Sequence, residues 1–148
     1  MILAAHGIHV ELPPGWSGRA FSRQGLVRLH AGDFALALAD GEFGDESTGR
    51  MPTPGTFVAL AEYRQGGGLE PGQGLFASRK LPLPLEPTAF AATRLAHPRP
   101  GQAGMQHFFT RAGRPFCLYV VVSGGRAERR VQLLGADRVL RSLAISGR

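Results

Sequence analysis

Cysteine, lysine and aromatic residues are scarce in this chain of 148 residues. The single cysteine, Cys117, excludes an internal disulfide framework and the zinc modules that need four cysteines. The longest uninterrupted apolar run, Phe116 to Val122, is far shorter than the roughly 20 residues that span a bilayer as a helix. Residues 1–6 contain neither a basic region nor a full apolar segment. The sequence therefore predicts no signal peptide, no membrane span and a cytoplasmic location.

Glycine and proline, in contrast, are abundant, with 21 and 11 residues, and hydrophobic residues make up 43% of the chain. This length and composition are typical of one globular domain. We therefore predict a single globular domain over residues 1–148. The polar, Gly- and Pro-rich stretches at 40–55 and 64–87 predict two long surface loops.

The formal net charge is +6, and Lys80 is the only lysine among 17 basic residues. Arginine binds phosphate well in a bidentate manner, so nucleic acid has to be considered as a partner. The arginines are nevertheless spread from Arg19 to Arg148, and residues 33–46 form an acidic stretch. This uneven charge favours a polar protein partner about as much as DNA.

Short strand patterns recur between the turns. Apolar residues alternate with others, or form short runs, in segments that we predict as strands: 8–12, 26–30, 34–39, 56–63, 90–95, 105–111 and 115–122. Gly32-Asp33 predicts a tight hairpin turn before the third segment. The last two segments predict a β-hairpin around Ala112-Gly113-Arg114.

The final strand of that hairpin is apolar on both faces, which predicts a central strand covered on both sides. One face carries Phe116, Leu118, Val120 and Val122, and the other carries Cys117, Tyr119 and Val121. An amphipathic helix over 126–143 is predicted to provide one cover. Its apolar arc contains Leu133, Ala136, Val139, Leu140 and Leu143, and its opposite side contains Arg126, Arg130, Arg138 and Arg141. Gly135 weakens this helix by up to about 1 kcal/mol relative to alanine and marks a point where it can kink.

Three segments carry a family resemblance. They are Leu12-Pro13-Pro14-Gly15-Trp16 after the first strand, the strand from Gly113 to Val120, and the helix end from Val139 to Leu143. In this order the chain resembles the PsbP-like (Mog/PsbP-type) α/β sandwich, in particular small actinobacterial proteins. The resemblance implies the fold and a non-catalytic binding or assembly role, since one branch docks on a photosystem and another on a small GTPase. It lends no functional residue to this sequence.

The sequence has only weakly specific motifs for metal binding, nucleophilic catalysis or phosphate binding. His6 and His9 have a spacing that metal sites use, but residues three apart on a strand point to opposite faces. Cys117 with His107 on the neighbouring strand suggests a nucleophile and its base, although an apolar run favours a buried, inert thiol. The glycines at 66–68 precede Pro71 rather than a helix, so they form no phosphate loop.

Two further motifs have a structural and a functional interpretation. Ser123-Gly124-Gly125 beside Arg126 is either a plain connection or a place for an anion at the start of the helix. The segment from Arg79 to Pro84 is either an extended linker or an approach to a proline-rich ligand. The arginine face of the last helix offers phosphate contacts without an adjacent aromatic platform.

We predict an α+β fold: a twisted antiparallel sheet of about six or seven strands with the C-terminal helix packed on one face. The predicted function is a non-catalytic protein-interaction or assembly factor, with no catalytic residue, metal or cofactor. The predicted contact residues lie at strand ends or in loops: Trp16, Phe43, Phe76 and Arg114. The alternative is a small-molecule-binding protein or enzyme with a pocket between the sheet and residues 40–55 or 64–87. Nucleic acid remains open as a partner, and the oligomeric state does not follow from the sequence.

Overall fold

Eight strands, two α-helices and three single 3-10 turns are present in the computed structural model, which describes all residues from 1 to 148. The strands are β1 (Ile2–Ala5), β2 (Ile8–Glu11), β3 (Ser17–Arg23), β4 (Leu26–Gly32), β5 (Gly55–Glu62), β6 (Gln102–Arg111), β7 (Arg114–Ser123) and β8 (Ala144–Ile145). The helices are α1 (Asp45–Gly49) and α2 (Arg126–Arg141). The 3-10 turns are Gly74–Phe76, Pro87–Ala89 and Ala92–Arg94. No helix is long and apolar enough to cross a membrane.

The strands form two antiparallel sheets. The larger has five strands in the order β3-β4-β5-β7-β6, and the smaller has three in the order β1-β2-β8. The predicted α+β class, with antiparallel strands and a packed C-terminal helix, is confirmed. The strands are divided between two sheets, because β2 pairs with β1 and with the short β8 that follows α2.

Strand β7 is an interior strand of the larger sheet, bonded to β5 on one side and to β6 on the other. All ten of its residues are buried. The two predicted faces are confirmed: Phe116, Leu118, Val120 and Val122 belong to the larger apolar cluster, and Tyr119 and Val121 belong to a second cluster on the opposite face. A strand that is apolar on both faces therefore has a packed layer on each side.

Helix α2 and the smaller sheet cover the first face. All five residues of the predicted apolar arc are buried, and the cluster also includes Ile8, Val10 and Leu12 from the smaller sheet side. The helix is continuous through Gly135, where a Cβ atom would lie only 3.1 Å from the Trp16 ring. The glycine thus allows the indole to approach α2 closely.

The loop from 33 to 54 covers the opposite face. Phe34, Leu36, Phe43 and Met51 pack against the cluster that contains Tyr119. The packing is tight: a Cβ atom on Gly44 would lie 2.2 Å from the Phe57 ring. The Asp40 carboxylate accepts hydrogen bonds from the backbone N–H groups of Gly41, Glu46 and Ser47, which fixes the start of α1.

Two predicted strands are wrong. Residues 34–39 are irregular, because β4 is already paired with β3 and β5 and leaves no edge for a further strand. Phe34 and Leu36 cover the sheet instead, whereas Leu38 is 91% exposed. Residues 90–95 contain a 3-10 turn and a single bridge between Ala91 and Gly104.

The first hairpin of the larger sheet was also not predicted. It joins β3 to β4 through Gln24-Gly25, so Gly32-Asp33 is not a hairpin turn. Strand β3 lies at the sheet edge and is partly exposed along most of its length, so it lacks a clear apolar alternation.

Candidate functional site

A groove lies between the end of α2 and the extended segment 79–83. Its volume is about 390 Å³. We name it the leucine groove, and its lining residues are Arg79, Lys80, Leu81, Leu83, Arg111, Leu140, Arg141 and Leu143. Leu140 and Leu143 are buried, whereas Leu81 and Leu83 are partly exposed, so the apolar floor of this shallow groove is open to solvent mainly at Leu81 and Leu83.

One wall of this groove is the segment 79–83, and hydrogen bonds to β6 and to α2 fix it in place. Thr110 donates its backbone N–H to the Ser78 carbonyl at 2.8 Å. The His107 ring Nε2 lies 2.8 Å from the Lys80 carbonyl oxygen. Further along, the Leu85 N–H donates to the buried Asp137 carboxylate at 2.9 Å. The segment is therefore fixed on both sides of its leucines, although it contains no regular secondary structure.

The rim of the leucine groove is cationic. Its eight lining residues include four cations, Arg79, Lys80, Arg111 and Arg141, and they include no Asp or Glu. The ion pairs of the protein use other cations, namely Arg28, His97, Arg99, Arg114 and Arg148. The positive charge around the groove is thus left without a counter-charge inside the protein.

The outward face of α2 extends this surface. Val131 and Leu134 are 71% and 59% exposed, and they lie on the helix side opposite the buried arc. The predicted arginine back is also exposed, at Arg126, Arg130, Arg138 and Arg141. Arg141 is the residue that this face shares with the leucine groove.

The four predicted contact residues are not brought together. Phe76 is fully buried, and Arg114 is 3% exposed, so neither side chain faces solvent. Trp16 is partly exposed and packs over Gly135, and Phe43 lies edge-on to Tyr119 with ring centroids 5.4 Å apart. These residues stabilise the core or cover it, and none lines the leucine groove.

Arg114 forms a buried ion pair with Glu62. Its Nε and Nη2 atoms lie 2.9 and 3.1 Å from the two carboxylate oxygens, and its Nη1 donates to the Ser146 carbonyl at 2.8 Å. Arg148 also binds this carboxylate, and the Val27 N–H donates to it at 3.1 Å. Burial by itself raises the pKa of Glu62, but the hydrogen bonds from Arg114 and Arg148 outweigh it and lower the pKa below 4.5. Both carboxylate oxygens of Glu62 are thus bound within the protein, so this cluster stabilises the fold.

Cys117 and His107 do not form a nucleophile and base. Cys117 is opposite Phe108 in the register and His107 is opposite Leu118, so the thiol and the imidazole lie on opposite faces of the sheet. Burial raises the pKa of the Cys117 thiol to about 12, which keeps it protonated at neutral pH.

The remaining polar motifs are also occupied or dispersed. His6 lies in the β1–β2 turn with φ of 54°, and His9 is an exposed residue of β2. No group of three or more His, Cys, Asp or Glu side chains is placed to hold a metal ion. The Ser123 hydroxyl donates to the Pro52 carbonyl in the loop before β5, so this hydrogen is already used within the protein.

The sequence does not predict the leucine groove, although the two segments that form it are each identified there as basic. The segment from Arg79 to Pro84 and the arginine back of the helix were treated as separate features. The groove needs the pairing of Leu81 and Leu83 with the end of α2, a contact between segments about 60 positions apart. The pattern that could have predicted the groove is the mixture of cations and leucines in both segments.

No family model, curated protein or solved structure matches this chain. The PsbP-like resemblance therefore stays a prediction.

Proposed function

We propose that this protein is a non-catalytic interaction factor that holds an acidic, leucine-rich segment of a partner protein in the leucine groove. The observation that carries the proposal is the lining of the groove, where four leucines lie among four cations without a carboxylate. Cations at the rim of an apolar floor complement a segment that has carboxylates beside apolar side chains. The proposal keeps the interaction role and the cytoplasmic location expected from the sequence.

The fixed wall supports a binding role. Ordering a loop on association reduces affinity, and a wall that is already ordered avoids much of that cost. Hydrogen bonds of this segment with Thr110 and His107, and the bond that the Leu85 N–H donates to Asp137, give such order before any partner binds. The partner's apolar side chains would then displace water from an existing surface.

The chemistry of the floor favours protein over nucleic acid. Single-stranded nucleic acids bind to grooves that combine positive charge with aromatic side chains on which bases stack. The leucine groove has no aromatic lining residue. Aliphatic side chains match leucine, isoleucine or valine from a partner, so an acidic amphipathic segment fits better than a phosphate backbone.

A binding measurement with a defined probe tests the proposal. The probe is a fluorescein-labelled helical peptide with leucines on one face and glutamates flanking them, measured by fluorescence anisotropy at 0.15 M salt. We expect the wild-type protein to bind it and Arg141→Glu with Arg111→Glu to weaken binding at least tenfold. Arg50→Glu with Arg94→Glu is the matched control, because both arginines are exposed, lie outside the groove and together undergo the same change of charge.

Three outcomes overturn the proposal. They are an absence of peptide binding, an equal loss in the Arg50→Glu and Arg94→Glu double variant, and tighter groove-dependent binding of either alternative ligand. The alternatives are vesicles containing phosphatidylserine and a 20-base-pair DNA duplex. Leu83→Ser tests the apolar contribution separately, and we expect it to weaken peptide binding without altering binding to the anionic controls.

A further inference from the structure

A second cavity, at the other end of α2, is independent of the leucine groove. It has a volume of about 300 Å³ and lies between the 3-10 turn at residues 87–89 and the first turns of the helix. Its lining residues are Pro87, Thr88, Phe90, Arg126 and Arg129. No residue is shared with the groove, and the volume is at the lower end of the range for small-molecule sites.

Arg129 is the unusual residue of this cavity. Its Nε atom is buried and has no hydrogen-bond partner, although the buried donors of folded proteins nearly always have one. Neither Arg129 nor Arg126 takes part in an ion pair of the protein. Two guanidinium groups therefore line one cavity with their charges uncompensated.

The opposite wall is apolar. Phe90 is only 6% exposed and belongs to the main core, so its position is fixed by packing. Pro87 adds a second rigid apolar surface beside it, and Thr88 adds a hydroxyl. The cavity thus combines an aromatic wall with planar cations, which bind carboxylates and phosphates in a bidentate manner.

From this cavity we infer a binding site for a small organic anion, namely a carboxylate or phosphate monoester on a compact apolar or aromatic body. Arg126 and Arg129 bind the oxyanion, and Phe90 and Pro87 contact the body. The start of the helix backbone is not the site, because the Glu128 carboxylate lies over Gly125, 2.8 Å from where a Cβ atom would stand.

Titration of the full chain with phenyl phosphate, benzoate and inorganic phosphate, followed by ¹H–¹⁵N NMR, tests this site. We expect phenyl phosphate or benzoate to bind saturably, with shifts at residues 88–90 and 126–129, and at least tenfold more tightly than inorganic phosphate. Arg129→Met keeps an apolar stem and removes the charge, and we expect a loss of at least tenfold in affinity. Arg130→Met, at the neighbouring exposed arginine, is the matched control and should bind as the wild type does.

The result that overturns the inference is an absence of saturable binding at millimolar concentrations, or equal affinity in Arg129→Met and Arg130→Met. If Arg129→Met does not fold, Arg126→Met gives the same comparison at an exposed position. Tight binding of inorganic phosphate alone, with no gain from the ring, would contradict the role of Phe90. Acidic-peptide binding in the leucine groove is measured separately, so failure of either site leaves the other test intact.

Discussion

The buried ion pair shows how a charged residue at a strand end can serve the fold. Arg114 begins β7, and the sequence position alone suggested an exposed contact residue. Its guanidinium instead reaches Glu62 at the end of β5, where the carboxylate is 2% exposed. The pairing could not be predicted, because it depends on the antiparallel register of two strands that are about 50 positions apart. Removing one partner of such a pair leaves a buried charge without compensation, which costs about 3–5 kcal/mol.

The Glu62 carboxylate predicts an acid-dependent loss of stability. Because its pKa in the folded state is lowered, its contribution to the free energy of unfolding is complete well above pH 4.5 and is lost as the pH falls below that value. Asp40 also has a lowered pKa, as hydrogen bonds outweigh its burial, and acts in the same direction. Urea unfolding between pH 7 and pH 3 should therefore show a smaller pH dependence in Glu62→Gln than in the wild type.

That variant should also be less stable at pH 7, because Arg114 loses its counter-charge. Glu86→Gln removes a carboxylate that is exposed and is the control. An unchanged pH dependence in Glu62→Gln would contradict the assignment of the acid sensitivity to this ion pair.

The thiol of Cys117 provides a second prediction at this scale. With a pKa of about 12 and a fully buried side chain, it should not react with Ellman's reagent in the native protein at pH 8. Reaction should begin only in denaturant, where one cysteine thiol per chain should react. Rapid labelling of the native protein would contradict the burial of this side chain between the two layers that cover β7.

At the scale of elements, the predictable parts are those whose burial is one-sided or complete. The two faces of β7 and the buried arc of α2 were assigned correctly, since continuous burial gives an unambiguous apolar pattern. The edge strand β3 and the pairs made by β1 and β8 were missed because partial exposure on both faces removes that pattern. Residues 34–39 show the opposite error, in which alternation arises from a loop that covers a sheet.

Two neighbouring leucines of α2 give a matched test of its orientation. Leu133 is 2% exposed and packs in the core, whereas Leu134 is 59% exposed. We expect Leu133→Ala to lower the free energy of unfolding by about 2–5 kcal/mol. Leu134→Ala should change it by no more than about 0.5 kcal/mol. Similar losses in the two variants, measured by urea unfolding, would contradict the packing of the helix.

At the scale of the whole molecule, some regions pair cations with carboxylates, and others have cations without a counter-charge. Ion pairs engage Glu42, Asp45 and Glu62, while α2 and the segment 79–80 carry cations without partners. The net charge of +6 follows from the sequence, but which cations are paired with carboxylates does not. Only the fold shows that Arg79, Lys80, Arg111 and Arg141 surround a common apolar floor.

This division predicts weak and non-specific binding to nucleic acid. A 20-base-pair duplex should bind at 0.05 M salt and be largely released by 0.2 M, since counterion release dominates such contacts. Its affinity should fall to a similar extent in Arg130→Glu and Arg141→Glu, because phosphates would use any exposed arginine of α2. A salt-resistant complex that depends on Arg141 alone would instead favour a specific nucleic-acid site.

The leucine groove as the binding surface is most directly tested by mapping the acidic leucine peptide onto the ¹H–¹⁵N spectrum of the full chain at 0.15 M salt. We predict saturable shifts confined to residues 79–81, 83, 111 and 140–143, and their disappearance in the Arg111→Glu and Arg141→Glu double variant. Shifts centred on another surface, or no shifts at saturating peptide, would contradict it.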